Sequence, residues 1–319
     1  MSGSQGIGRR SLCRTGLAVT AIGSLATGLA RTAHADRRRV PRPTVFRTRN
    51  WDARPPAEPI VVEDHPPTYI VVHHTVEPGN GDDYSLAHSF EMSRAIQSFH
   101  MDHRGWIDSG QQFTISRGGH ITEGRHRSLE ILDEGLRHVQ GTNVRDNNSQ
   151  VIGIENEGLY TSEDVPQALW DALVDLVSYM AYQYDVQPEF IKGHRDFNST
   201  QCPGDVLYAR LPELRAGVAA RLGTRVAART GDTTEWPLLR PGDRGRDVEI
   251  AQRLLRDRGA SSVPTDGIYG PSTQDAVRAL AAEHGLDSPG CSAAARSEES
   301  GYLGADLWPL LITRQRSTR

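Results

Sequence analysis

The short segment 68–73, Thr-Tyr-Ile-Val-Val-His, sets the strictest limit on the fold. It is apolar and rich in β-branched residues, and Pro66-Pro67 and Pro78-Gly79 bound it. A continuous apolar run between turn residues is typical of a strand that is buried on both faces of its sheet. Such a strand needs cover on both sides, so we expect helices to pack against it.

Helical and strand patterns alternate along the following residues. Apolar residues at helical spacing predict helices within 86–103 and over 165–180, and Thr161 and Ser162 are candidate caps of the second helix. Short apolar or β-branched runs predict three further strands, at 113–116, 120–122 and 151–155. The interleaving predicts an α/β fold with a mixed central β-sheet flanked by helices.

The first 35 residues have the order of parts found in an export signal. Arg9-Arg10 precede an uncharged stretch over 16–30, and Ala33-His34-Ala35 supplies a small-x-small cleavage pattern. The stretch is shorter than the roughly 20 residues that a bilayer span requires. We therefore predict a twin-arginine signal peptide at 1–35 and a secreted protein without membrane attachment after cleavage.

Composition shifts divide the remaining chain. We predict a first domain at 44–222, a linker at 223–235 that lacks large apolar groups, and a smaller domain at 236–312 with amphipathic helices. The net charge is −4, so the chain lacks the excess of basic residues that a dedicated nucleic-acid binder requires. The sequence gives no sign of oligomerisation, and a monomer is the default expectation.

Two histidines and a cysteine form a candidate metal set. His73 ends the predicted strand, His194 lies in Gly-His-Arg-Asp, and Cys202 follows eight residues later. Two nitrogen ligands and one sulfur ligand from separate segments match a catalytic zinc site, which keeps a fourth position open for water. Two alternatives stay open: each histidine is an ordinary core or surface residue, or Cys202 forms a disulfide with Cys291.

Five ordered motifs surround these residues. They are Trp51-Asp-Ala-Arg-Pro-Pro56, Val71-Val-His-His-Thr75, Gly105-Trp-Ile-Asp-Ser-Gly110, Ile152-Gly-Ile-Glu155, and Gly193-His-Arg-Asp196 followed by Thr200-Gln-Cys-Pro-Gly204. In this order they resemble the type-2 N-acetylmuramoyl-L-alanine amidases and peptidoglycan recognition proteins, over most of residues 50–220. The resemblance implies that zinc binds His73, His194 and Cys202, and it selects His73 over His74.

The resemblance also implies a reaction and roles for further residues. The reaction is hydrolysis of the amide between the lactyl group of N-acetylmuramic acid and L-alanine of peptidoglycan. Many relatives carry a tyrosine where this chain has Gln111, which cannot titrate, and Glu155 is then the candidate general base. Thr200 is a candidate hydrogen-bond donor to an oxyanion. The expected substrate-binding residues are His138, Gln111 and Arg54.

The second domain resembles the peptidoglycan-binding type-1 domain of three helices, chiefly through Asp266-Gly-Ile-Tyr-Gly-Pro271. Residues 289–301, which include Cys291, look like an insertion in it. Together the resemblances imply an exported zinc amidase that is tethered to the wall. The alternatives are a non-catalytic peptidoglycan-binding or recognition protein, favoured by the missing tyrosine, and a zinc hydrolase that acts on a different amide.

Overall fold

The apolar run 68–73 forms a strand at the centre of a sheet in the computed structural model. The structure describes residues 38–226, 236–286 and 299–313. The predicted signal peptide, most of the predicted linker and Cys291 lie outside the described residues. The strands are β1 (Val45–Phe46), β2 (Val62–Glu63), β3 (Tyr69–His74), β4 (Phe113–Ile115), β5 (Ile121–Glu123), β6 (His138–Val139), β7 (Val151–Asn156) and β8 (Ile191–Gly193).

Six of these strands form a sheet in the order β1-β5-β4-β7-β3-β8, and β2 pairs with β6 in a second, antiparallel sheet. The hairpin β4–β5 is antiparallel, whereas the other neighbours in the large sheet run parallel. The mixed central sheet of the prediction is therefore confirmed. Strands β7 and β3 occupy inner positions, as the absence of polar alternation in β3 requires.

Helices cover this sheet and build a second core further along the chain. They are α1 (Leu86–Ser98), α2 (Ser128–Glu134), α3 (Gln167–Tyr184), α4 (Asp205–Ala209), α5 (Leu211–Leu222), α6 (Arg246–Asp257), α7 (Pro271–Glu283) and α8 (Trp308–Ile312). The last three pack around Leu255, Val277 and Trp308. No helix within the described ranges is both long and apolar enough to cross a bilayer.

The start of α3 differs from the prediction. Pro166 occupies the N-cap position with extended backbone angles, and no side chain caps the helix. A helix capped at Ser162 would place Pro166 at the first position whose N–H is needed for an intrahelical hydrogen bond. Proline lacks that donor, so the candidate caps Thr161 and Ser162 were wrong.

The two faces of β3 bury different sets of residues. Ile70 and Val72 pack in the main core together with α3, whereas Val71 packs with Val144 and Val151 on the opposite face. Since successive side chains alternate across a strand, His73 shares the face of Val71. The sheet thus separates an apolar core on one side from the polar residues described below.

Leu173 of α3 is fully buried in the main core. We expect Leu173→Ala to lower the free energy of unfolding by about 2–5 kcal/mol, because it removes apolar contacts and leaves a cavity. Leu136→Ala is the matched control, since Leu136 is 71% exposed. Urea denaturation measures both variants, and equal losses in the two would contradict this account of the core.

Candidate metal centre

His73, His194 and Cys202 come together at the carboxyl ends of two neighbouring strands. One ligand atom from each residue lies within 4.8 Å of the other two, and Cys202 Sγ is 3.7 Å from His73 Nδ1. Val72 of β3 pairs with Gly193 of β8, so the two histidines follow directly after paired positions. Cys202 belongs to the segment 197–202, which we call the ligand loop.

Burial keeps both histidines neutral. It holds the pKa of His73 well below its usual value, and the nearby imidazoles of His194 and His74 act in the same direction. Burial also lowers the pKa of His194 to about 4, and a hydrogen bond with Asn198 opposes that shift only in part. Neutral imidazole is the form that binds metal ions, so this environment prepares the pair for ligation.

The ligand set fits a metal ion in its chemistry as well as in its spacing. His194 Nε2 donates to Asn198 Oδ1 over 3.0 Å, which leaves Nδ1 with its lone pair. That Nδ1 is buried and has no hydrogen-bond partner among the described residues. A site of two nitrogens and one sulfur suits transition metals, whose ligands commonly include imidazole and thiolate.

His74 has a different environment from His73. It points to the opposite face of β3, and its Nδ1 is 3.5 Å from the backbone nitrogen of Tyr160. Its own backbone N–H donates to Cys202 Sγ over 3.4 Å. The cluster of candidate ligands therefore contains His73 and not His74.

Glu155 lies beside His73 on the same face of the sheet. The two residues are register partners on β7 and β3, and Thr114 of β4 is the partner of Glu155 on its other side. Partners on adjacent strands project side by side, so the fully buried carboxylate of Glu155 neighbours the candidate ligands. Gln111 Nε2 donates to Thr114 Oγ1 over 2.8 Å, which ties it to the same row of residues.

Thr200 lies within the ligand loop and its hydroxyl is fully engaged. Its Oγ1 accepts from the backbone N–H of Cys202 over 3.1 Å and donates to Glu299 Oε1 over 2.9 Å. The hydroxyl proton of Thr200 is thus directed at a carboxylate in this arrangement.

The remaining predicted site residues, His138 and Arg54, differ in burial. His138 is buried on β6, its Nδ1 is 2.8 Å from the carbonyl oxygen of His65, and burial is the main cause of its lowered pKa. Arg54 is 48% exposed and pairs with Asp102 over 2.6 Å. An exposed ion pair of this kind adds little stability and leaves the guanidinium accessible.

Sequence reasoning missed Asn143. Its Nδ2 donates to the carbonyl oxygen of Gly110 and to Gln112 Oε1, and a side-chain hydrogen bond to His73 partly offsets the burial that lowers the pKa of that histidine. A Cβ atom at Gly153 would lie 2.5 Å from Asn143 Oδ1. A glycine inside a buried strand often marks such a close approach, so Gly153 was the available signal.

Comparisons with known proteins identify relatives of both parts of the chain. The sequence profile of the N-acetylmuramoyl-L-alanine amidase family matches residues 63–205, and that of a peptidoglycan binding domain matches residues 244–289. An N-acetylmuramoyl-L-alanine amidase of Sus scrofa is 31% identical over 179 residues, which are 54% of this chain and 28% of the relative. A peptidoglycan recognition protein of Trichoplusia ni is 32% identical over 161 residues, 50% of this chain and 80% of the relative.

A third relative has a solved structure. Peptidoglycan-recognition protein LB of Drosophila melanogaster is 29% identical over 163 residues, 51% of this chain and 65% of the relative. Its wild-type structure aligns with a TM-score of 0.46 at 26% identity, covering 59% of this chain and 99% of the other. The chain thus spans less than two thirds of the length of the porcine and Drosophila relatives.

The two adjacent histidines allow a sharp test of the ligand assignment. We expect His73→Gln to lose most of its bound metal after dialysis, because two ligands hold an ion far less tightly than three. We expect His74→Gln, the matched control, to retain it. Metal content per folded chain, measured by mass spectrometry, checks both, and metal retention by the His73 variant would contradict the assignment.

Proposed function

The chain belongs to the family of N-acetylmuramoyl-L-alanine amidases and peptidoglycan recognition proteins, and from this premise we propose that it is an exported, zinc-dependent peptidoglycan amidase. The substrate bond is the amide between the lactyl group of N-acetylmuramic acid and L-alanine. The observation that carries the proposal is the placement of Glu155 beside His73 in register, next to the cluster of His73, His194 and Cys202. This arrangement sets a candidate base against a candidate metal site.

Each of these side chains has a role in the proposed reaction. His73, His194 and Cys202 would hold zinc, which would supply a Lewis acid that polarises the scissile carbonyl and acidifies water. Glu155 accepts a proton from the attacking water and returns it to the leaving amine of L-alanine. The hydroxyl of Thr200 donates a hydrogen bond to the oxyanion once it no longer donates to Glu299.

We propose that substrate binds at the face of the sheet that carries the cluster. We assign His138, Gln111 and Arg54 to the peptidoglycan-binding surface. The match of residues 244–289 to a peptidoglycan binding domain supports a second attachment to the wall. Tethering of this kind raises the local substrate concentration without new contacts at the reacting bond. We propose that the protein acts as a secreted monomer at the cell wall.

Gln111 favours one alternative, a recognition protein that binds peptidoglycan without cleaving it. A glutamine at this position cannot donate or accept a proton as a tyrosine can. The buried Glu155 argues for catalysis, since it supplies a titratable group beside the candidate ligands. The two functions differ in whether new amino termini form.

We expect the chain from Asp36 onward to release new alanine amino termini from purified peptidoglycan, and a chelator to abolish their release. Amino-terminal labelling followed by mass spectrometry of the released stem peptides measures them. Restoration by added zinc is the control for chelator damage. Wall binding by a zinc-loaded protein without new termini would overturn the amidase proposal and favour recognition.

We expect Glu155→Gln to lower kcat by about 10²- to 10⁴-fold, because general acid-base catalysis contributes on this order. Its zinc content should stay that of the wild type, since Glu155 is not one of the proposed ligands. Glu163→Gln, at an exposed position of the same domain, is the control and should keep full activity. Equal kcat in the two variants would remove Glu155 from the mechanism.

A further inference from the structure

Residues of the second core reach across to the ligand loop. Glu299 Oε1 accepts hydrogen bonds from Thr200 Oγ1 over 2.9 Å and from the backbone N–H of Gln201 over 3.0 Å. Glu299 is almost completely buried although it carries a carboxylate. A carboxylate that accepts two hydrogen bonds in a buried setting makes a strong contact.

Asp306 holds the same loop at a second point. Its carboxylate accepts hydrogen bonds from Ser199 Oγ and from Asn198 Nδ2, and it lies 3.7 Å from Arg145. The backbone N–H of Gly304 donates to Ser199 Oγ over 2.8 Å. Residues 299–306 therefore contact four successive residues of the ligand loop, 198–201; we call residues 299–306 the latch.

A charged contact next to the latch joins the same two parts of the chain. Arg240 Nη1 donates to Asp205 Oδ2 over 2.9 Å, and Arg195 Nη1 donates to Asp205 Oδ1 over 2.8 Å. Arg195 directly follows the candidate ligand His194. Arg195 precedes the ligand loop and Asp205 follows it, so this contact with Arg240 lies next to both ends of the loop.

The candidate metal centre is completely buried in the structure in which the latch contacts the ligand loop. His73, His194, Cys202, Glu155 and Thr200 each have 0% exposure. The proposed reaction requires a wall polymer to bring its amide bond against these groups, and a site without accessible surface excludes it. Some covering part must move before substrate enters.

The hydrogen bonds of Glu299 make the latch our candidate for the covering part. Thr200 Oγ1 and the N–H of Gln201 are donors at the ligand loop, and the proposed reaction uses such donors for a developing oxyanion. A carboxylate oxygen is itself an anionic acceptor, so Glu299 uses the two donors that would otherwise be available to a reacting carbonyl oxygen.

We propose that the latch is autoinhibitory: Glu299 holds the donors of the ligand loop and closes the metal centre until the second core moves away. The inference rests on the proposed function, because the donors matter only if an amide is cleaved there. Opening exchanges the five hydrogen bonds between the latch and the ligand loop for hydrogen bonds with water or substrate. The latch therefore acts as a conformational gate and requires no covalent step.

The test uses the full chain from Asp36 in three forms: Glu299→Ala, the milder Glu299→Gln, and Glu249→Ala as a matched control. Glu249 lies on α6 of the same core and pairs with Arg253, away from the latch. Arg240→Gln is a further variant that weakens the contact between the two parts and leaves the latch intact. Each is measured for zinc affinity at equilibrium, for the rate of zinc extraction by excess chelator, and for turnover of a soluble muramoyl-peptide.

We expect Glu299→Ala to speed both zinc extraction and turnover by about tenfold, the order expected when charge-assisted hydrogen bonds to a closed state are lost. Glu299→Gln and Arg240→Gln should show smaller increases, and Glu249→Ala none. Zinc affinity at equilibrium should not change, because a gate alters the rate of zinc entry and the rate of zinc release by the same factor.

Three other results have defined meanings. Unchanged extraction and turnover in Glu299→Ala would overturn the latch, because the contact would then be no barrier. Weaker zinc binding with lower turnover would also overturn it, because Glu299 would then support the metal site. Faster extraction without turnover in any form, the wild type included, would show that the latch closes the metal centre, but it would defeat the proposed amidase function and with it the autoinhibitory role.

Discussion

The burial of β3 on both faces is the constraint on which the site depends. One face contributes Ile70 and Val72 to the main core and anchors the strand against α3. The other face is thereby free to carry His73, with Glu155 as its register partner on β7. Rigid strands place side chains more precisely than loops do, and two of the three candidate ligands follow paired strand positions. Cys202 depends on a loop, and residues 299–306 support that loop from elsewhere in the chain.

Hydrogen bonds around the ligands fix how they can act. Asn198 accepts from His194 Nε2 and donates to Asp306, so one amide orients the imidazole and links it to the second core. Asn143 approaches from the side of Gly153 and is held by Gly110 and Gln112. Such outer residues set the tautomer and orientation of ligands, which matters as much as the presence of the ligands themselves.

Local patterns in the sequence predicted β3, β4, β5, β7, α1 and α3, because those elements depend on nearby residues. They missed the short strands β1, β2, β6 and β8. The start of α3 was missed because Pro166 removes a donor at one specific position. The choice between His73 and His74 was beyond the pattern, since β3 is apolar on both faces and alternation gives no signal there. The role of Glu299 could not be predicted from the sequence pattern either. Its partner Thr200 is 99 residues away, and no periodicity links two residues at that distance.

The complete burial of the candidate metal centre has a consequence for measured rates. When only a minor population of a protein is competent, its apparent affinity and its observed kcat/KM equal the intrinsic values multiplied by the fraction of competent molecules. If about one molecule in a hundred is open, the observed kcat/KM understates the intrinsic chemistry about hundredfold. Slow hydrolysis of a small soluble substrate would then report the rarity of the open population, and the chemical competence of Glu155 would be visible only in molecules already open.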